Sequence, residues 1–258
     1  MKRKMHWLKL TFFRIRAIAA YPLDAILGIV GTVLWHLPNF VLLEVSFDNM
    51  NFEPQFKSYL VLLYGLSVFG DGIQHTFFEA LWQFGNNFIK GAQFDQILTK
   101  PCSNFIQVVT SRFDIDGIGA ILWGGFCCFY GMKGIAGWNL ILIIKIILAM
   151  ASSGLFFVSI NILTSSMAFL FYDNFFVTQT VFELHQFARF PKEIYPTIMR
   201  FLLTFVFPVF LATNYSANII RKYTVWQNVL FIFCGYLFFR LSIFLWNICS
   251  RFYRSSGS

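Results

Sequence analysis

Lys90–Asp116, KGAQFDQILTKPCSNFIQVVTSRFDID, is the one long polar-rich segment in a chain that is otherwise mostly apolar, so it must lie outside the lipid. Gln93 to Thr99 can make about two helical turns, and Pro101 stops them, because the residue before a proline is pushed out of the α region. A second helix can start with Ser103 or Asn104 as its cap. Phe94, Ile97 and Leu98 form one apolar edge of the first helix, with Asp95 and Gln96 facing away. A short amphipathic helix between two spans suits docking into a groove on a soluble partner. An ordinary interfacial loop fits the same residues.

The rest of the chain reads as membrane. Of 258 residues, 57% are apolar and 12% charged, about half the charged share of a soluble domain. The net charge of +8 could point to nucleic acid. Lys2, Arg3, Lys4, Lys9, Arg14 and Arg16 all precede the first span, however, where the positive-inside rule places them, so nucleic acid is not expected as a partner. Arg14 and Arg16 interrupt the apolar run of the amino terminus, which argues against a cleavable signal; the first span is expected to act as its own insertion signal. Cys102, Cys127, Cys128, Cys234 and Cys249 have neither metal-ligand nor disulfide-framework spacing and read as packing residues.

Residues 1–22 carry an apolar stripe at helical spacing (Met5, Leu8, Phe12, Ile15, Ala19) beside Lys4, Lys9 and Arg16, the pattern of an interfacial helix that Pro22 ends. Apolar runs then predict spans at 24–46, kinked by Pro38, and at 58–80, 115–132 and 139–164. A fifth is read at 174–188 and the last at 225–249. Residues 189–222 form an outer segment in which Phe201–Ala212 is too short to cross, contains Pro208 and runs into Thr213–Ser216; it reads as re-entrant. Arg189, Lys192, Arg200, Arg221 and Lys222 then sit on the outer side, against the positive-inside expectation. The chain is read as one all-α integral membrane domain over 1–258, with no internal repeat and no soluble domain.

Two sets of polar residues stand out within the spans. Asp71, His75 and Glu79 recur every four positions and share one helix face. Ionisable groups at membrane depth face a bundle interior or a water-filled cavity. A proton or metal site and a polar seam satisfied by neighbouring helices both fit; against a metal, one helix supplies three ligands at most and no second cluster accompanies it. Gln179, Glu183 and Gln186 likewise share a face, which reads as buried or pore-facing. Within the polar loop, Arg112 and Asp116 are four apart and are expected to pair at the interface.

The spacing Gly91, Asp95, Leu98, Lys100, Pro101, Gln107, Arg112, Phe113, Asp114 resembles the cytoplasmic coupling helix of bacterial ABC-2 type permeases. Phe187-Ala-Arg-Phe-Pro191, Ile194-Tyr-Pro196 and Phe205-Val-Phe-Pro208 resemble the extracytoplasmic segment before the last span in the six-span branch that includes viologen and drug exporters. The resemblance covers nearly the whole chain. It implies six spans in a bacterial cell membrane with both termini cytoplasmic, and a coupling segment at 90–112. In that segment Gly91, Phe94, Asp95, Leu98, Lys100, Pro101 and Arg112 would engage a dimer of separate ATPase subunits, which would hold ATP and Mg. It further implies a second permease, identical or related, with Asp71, His75, Glu79, Gln179, Glu183 and Gln186 along the path between the two.

No Gly-rich loop ending in Gly-Lys-Ser or Gly-Lys-Thr occurs, so this chain does not cradle nucleotide phosphates by that route. No cofactor is therefore expected on it. Three carboxylates per subunit at low dielectric, with 35 phenylalanines in the chain, fit export of an amphipathic, cationic, drug-like compound. Export of a peptide, bacteriocin or lipid remains open, as does ATP-independent secondary transport through Asp71, His75 and Glu79. An enzyme is disfavoured, because His36 and His185 lack any partner motif.

Overall fold

A computed structural model of the chain describes residues 21–49, 53–133, 139–171, 174–221 and 224–254. All regular elements among them are helical. In chain order α1 is Pro22–Asn49, α2 Pro54–Trp82, α3 Gln93–Leu98, α4 Asn104–Val109, α5 Gly117–Lys133 and α6 Leu140–Ser166. They are followed by α7 Phe175–Gln186, α8 Thr197–Phe201, α9 Ser216–Arg221 and α10 Val225–Cys249. The interfacial helix expected at 1–22 lies outside the described residues, apart from its last two positions. Pro22 opens α1, a position where its missing N–H costs nothing.

The core is built on α2 and α5, which run antiparallel in unusually close contact. Gly65 and Gly72 on α2 and Gly117, Gly124 and Gly131 on α5 are seven residues apart, so each set forms one stripe along its helix. A Cβ at Gly65 would lie 2.7 Å from the Cys128 backbone nitrogen, one at Gly72 2.6 Å from that of Ile121, and one at Gly131 2.8 Å from the Ser58 carbonyl. Without side chains between them the backbones meet directly, which supplies dispersion contact where lipid removes the hydrophobic drive for helix association. On another face of α5, Gly119 admits α1, whose Ile29 carbonyl would be 2.5 Å from a Cβ there.

Small polar residues fasten α6 to this pair. Ser153 donates to the Leu66 carbonyl at 2.8 Å, Ser165 to the Leu81 carbonyl at 2.9 Å, and Ser152 meets Ser216 of α9 at 2.8 Å. Such side chains find no water at membrane depth and hydrogen-bond across helices.

Helices occupy all six ranges read as spans, but they differ in kind. Pro22–Val45, Leu140–Phe169 and Trp226–Phe252 are each long and apolar enough to cross a membrane. Thr197–Val206 and Leu211–Arg221 together would make a fourth, bent by 80° at Phe207–Pro208, a geometry shared by re-entrant segments and broken spans. By contrast α5 has 17 residues and α7 only 12, about 18 Å for α7 against a hydrocarbon core of about 30 Å. α1 continues through Pro38, and α2 leaves helical dihedrals at Phe78 (φ −126°, ψ 19°). The helix ends at Trp82, close to the expected residue 80, with Gln83 as its C-cap. A wide π-type turn, Gly85–Lys90, follows and leads into the polar segment.

Of the cations read as outer, Lys222 lies outside the described residues, and the other four have contacts that account for them. Arg189 lies over the Tyr64 ring, Lys192 over Tyr215 at 3.9 Å and Arg221 over Tyr59 at 4.4 Å, while Arg200 donates to Thr197 Oγ1. Aromatic faces hold most of these charges in place, independently of which side of the membrane the positive-inside rule favours.

Candidate functional site

The segment 90–112 folds as a hairpin of α3 and α4. Ala92 enters it in the left-handed region (φ 53°), the only non-glycine residue among those described to do so; this costs an L-residue roughly 1–2 kcal/mol and marks a backbone constrained by its surroundings. Ser103 occupies the N-cap position of α4, but its side chain makes no capping bond. Gln107 closes the hairpin, its Nε2 donating to the carbonyls of Ile97 (3.3 Å) and Cys102 (3.1 Å).

The apolar edge expected on α3 is split. Phe94 (0% exposed) and Ile97 are buried, and Leu98 is 53% exposed. Adjacent helical residues point about 100° apart, so Ile97 and Leu98 cannot both face the core. Phe94 packs edge-on to Phe84 at 5.8 Å, Phe169 at 5.1 Å and Tyr253 at 4.9 Å. Phe105 of α4 reaches Trp246 of α10 at 5.5 Å, and Trp246 in turn meets Phe84 at 4.6 Å. The hairpin is thereby tied to α2, to the end of α6 and to α10. Its open surface is the tip, with Leu98, Lys100 and Pro101 exposed, Gly91 exposed at its entry and Asp95 half-buried. Arg112 does not meet Asp116. Residues 112–116 are not helical, so the four-residue spacing carries no contact; Arg112 Nη1 donates to Gln83 Oε1 at 3.1 Å, and Asp114 Oδ1 caps the Asp116 amide.

Asp71, His75 and Glu79 do lie together on α2, where they meet α7. His185 Nδ1 donates to Asp71 Oδ1 at 3.3 Å, both side chains buried, and His75 Nδ1 lies 3.0 Å from Glu79 Oε2. Phe182 bridges the helices, edge-on to His75 at 5.8 Å and to Trp82 at 4.7 Å. His185 was without a partner in the sequence because Asp71 is 114 residues away; no local pattern could have joined them. Among the described residues no group of three or more His, Cys, Asp or Glu is placed to hold a metal ion.

Gln179, Glu183 and Gln186 also share one face, but it turns away from this cluster. Gln179 Nε2 donates to Glu183 Oε1 at 3.0 Å and Gln186 Nε2 to Glu183 Oε2 at 3.4 Å. Glu183 and Gln186 are exposed on this chain, not buried within it. Asp71 and Glu79 are thus each matched by a histidine, while Glu183 is the exposed carboxylate of the six polar residues, held by two glutamines.

The sequence pattern of the family described as "ABC-2 family transporter protein" matches residues 33–257. No curated protein and no solved structure matches the chain.

Proposed function

This chain belongs to the ABC-2 family of transporter proteins, and from that premise we propose that it exports amphipathic cations across a bacterial cell membrane, with both termini cytoplasmic. As an ABC-2 permease it is a multi-pass membrane subunit of an ABC transporter, with a transport role and not a catalytic one. In the fuller reading it works with a second permease, identical or related, above a dimer of ATPase subunits that bind ATP and Mg. The observation that carries this reading is the two-sided hairpin: Phe94 and Phe105 are seated in the fold's aromatic core while Leu98, Lys100 and Pro101 stand exposed at the tip. An arm so built passes a push from below into α2 and α10 without bending at its root.

Leu98→Asp tests the tip. Because Leu98 is exposed, the change should alter fold stability by no more than about 0.5 kcal/mol, while a charge buried in an apolar cleft disrupts docking. Co-expressed with the ABC ATPase of its host, the wild-type chain is expected to co-purify with that ATPase and support ATP hydrolysis. Leu98→Asp should lose both at an unchanged unfolding midpoint. A wild-type chain that never co-purifies with an ATPase would instead favour ATP-independent transport through Asp71, His75 and Glu79.

The substrate side of the reading is supported by Glu183. Its carboxylate lies exposed between two glutamines, and a flat hydrophobic cation would gain charge pairing there. Glu183→Gln should raise the half-maximal concentration of aromatic cations that stimulate ATP hydrolysis by about tenfold, the scale of one charge-assisted contact. An unchanged cation response would rule this face out as the binding surface.

A further inference from the structure

A cavity of about 340 Å3 opens between α1, α2 and the end of α7, lined by Asn39 and Leu43, by Tyr64, and by Gln186, Arg189 and Phe190. The Tyr64 hydroxyl donates to the His36 carbonyl at 2.8 Å and Gln186 to Glu183, but two buried nitrogens in and beside the cavity are unmatched. Arg189 Nε is buried with no hydrogen-bond partner among the described residues, and the guanidinium carbon sits 5.8 Å from the Tyr64 ring centre. One turn before Asn39 on α1, His36 is 9% exposed, and its buried Nδ1 is equally unpartnered. Asp71, the carboxylate whose field reaches both Arg189 and His36, is already bonded to His185. Arg189 is half-buried; a guanidinium carries five donors in a fork that matches a carboxylate or phosphate, and a buried donor such as its Nε left without a partner is costly.

We propose that this cavity binds the oxyanion headgroup of an amphiphile, a phosphate or a carboxylate, with Arg189 as its charge partner. The amides of Asn39 and Gln186 add donors, and Leu42, Leu43 and Phe190 line the way for the apolar tail. The cavity adjoins the Glu183 face and shares Gln186 with it, but its charged group is Arg189, of opposite sign, so its ligand differs from the cation proposed above. Its source of oxyanion is either a membrane phospholipid or a free anionic amphiphile, and the chemistry at Arg189 is the same for both.

Native mass spectrometry of the full chain in maltoside micelles, a background without phosphate, tests the site with dodecyl phosphate as probe. One dodecyl phosphate should bind per chain and raise the thermal unfolding midpoint, whereas dodecyltrimethylammonium should not bind at this site. Arg189→Gln should weaken the phosphate by about 30-fold or more, as truncating one partner of a buried charge pair does, and Arg189→Lys should weaken it less. Without ligand, Arg189→Gln should lower the midpoint only slightly, since it gives up the contact with the Tyr64 ring; a residue needed only for the fold would lower the midpoint without weakening phosphate binding by the folded chain. Asn39→Phe, which fills the cavity and keeps Arg189, should also abolish binding and serves if Arg189→Gln fails to fold. Added phosphatidylglycerol that displaces dodecyl phosphate would identify a lipid headgroup as occupant, and a lack of displacement would identify a free amphiphile. Equal binding of the anionic and cationic probes, or full phosphate binding by both Arg189→Gln and Asn39→Phe, would overturn the proposal. The permease is used alone, so the outcome is independent of whether an ATPase couples to it.

Discussion

Gly124→Ala is expected to abolish accumulation of the folded chain, while Gly31→Ala, an identical substitution on α1, is expected to stabilise it. A Cβ at Gly124 would lie 2.8 Å from the Gly65 carbonyl and against the backbone nitrogen and Cα of Phe69. All three are main-chain atoms of α2, so no rotamer change makes room. Overpacking of a close-packed interior costs about 1–3 kcal/mol when side chains can adjust; here two helices must separate along a register that Gly65, Gly72, Gly117 and Gly131 share. The cost therefore belongs at the upper end of that range or above it. Around Gly31 nothing lies within 4 Å of the added carbon, and replacing glycine by alanine in an exposed helix interior gains about 1 kcal/mol. Thermal unfolding midpoints of the two detergent-purified variants, with membrane yield for Gly124→Ala, provide the measurement. Wild-type yield and midpoint for Gly124→Ala would mean that α2 and α5 are not held by the glycine stripes.

The contrast between these glycines shows where sequence pattern carried the fold and where it did not. The helix α10 covers the range read from its long apolar run, 225–249, and the structure adds a capping box before it in which Thr224 and Gln227 each bond the other's backbone amide. The glycine stripes were also present as spacing, every seven residues on two segments, yet glycine in a membrane helix has several uses and spacing alone does not name the partner helix. The partnership of His185 with Asp71 had no local signature at all. In the polar hairpin the helix ranges were readable from Pro101 and the apolar positions. The burial of α3 was not, since a six-residue helix can present either of two neighbouring residues inward and only Phe84, Phe169 and Tyr253 decide that Phe94 and Ile97 go in and Leu98 stays out.

That division within α3 sets up the second large effect. Phe94→Ala should destabilise the chain by about 3–5 kcal/mol, the range for truncating a fully buried phenylalanine, because its ring is 0% exposed and is in contact with three other rings. Its functional signature should differ from that of Leu98→Asp. The tip residues Leu98, Lys100 and Pro101 remain in place on the surface, so ATPase binding should persist at low temperature. The root of the hairpin, however, loses the ring through which α3 is joined to the end of α6 and to the segment after α10. ATP hydrolysis should then continue while transport falls away, a slipping motor in place of a detached one. Parallel assays of ATPase co-purification, ATP turnover and transport in proteoliposomes, run below the lowered unfolding midpoint, separate the two variants. Full retention of transport by Phe94→Ala would show that force does not pass through this aromatic cluster. Loss of ATPase binding together with transport would mean that the cluster shapes the tip itself and is more than a link from the tip to the bundle.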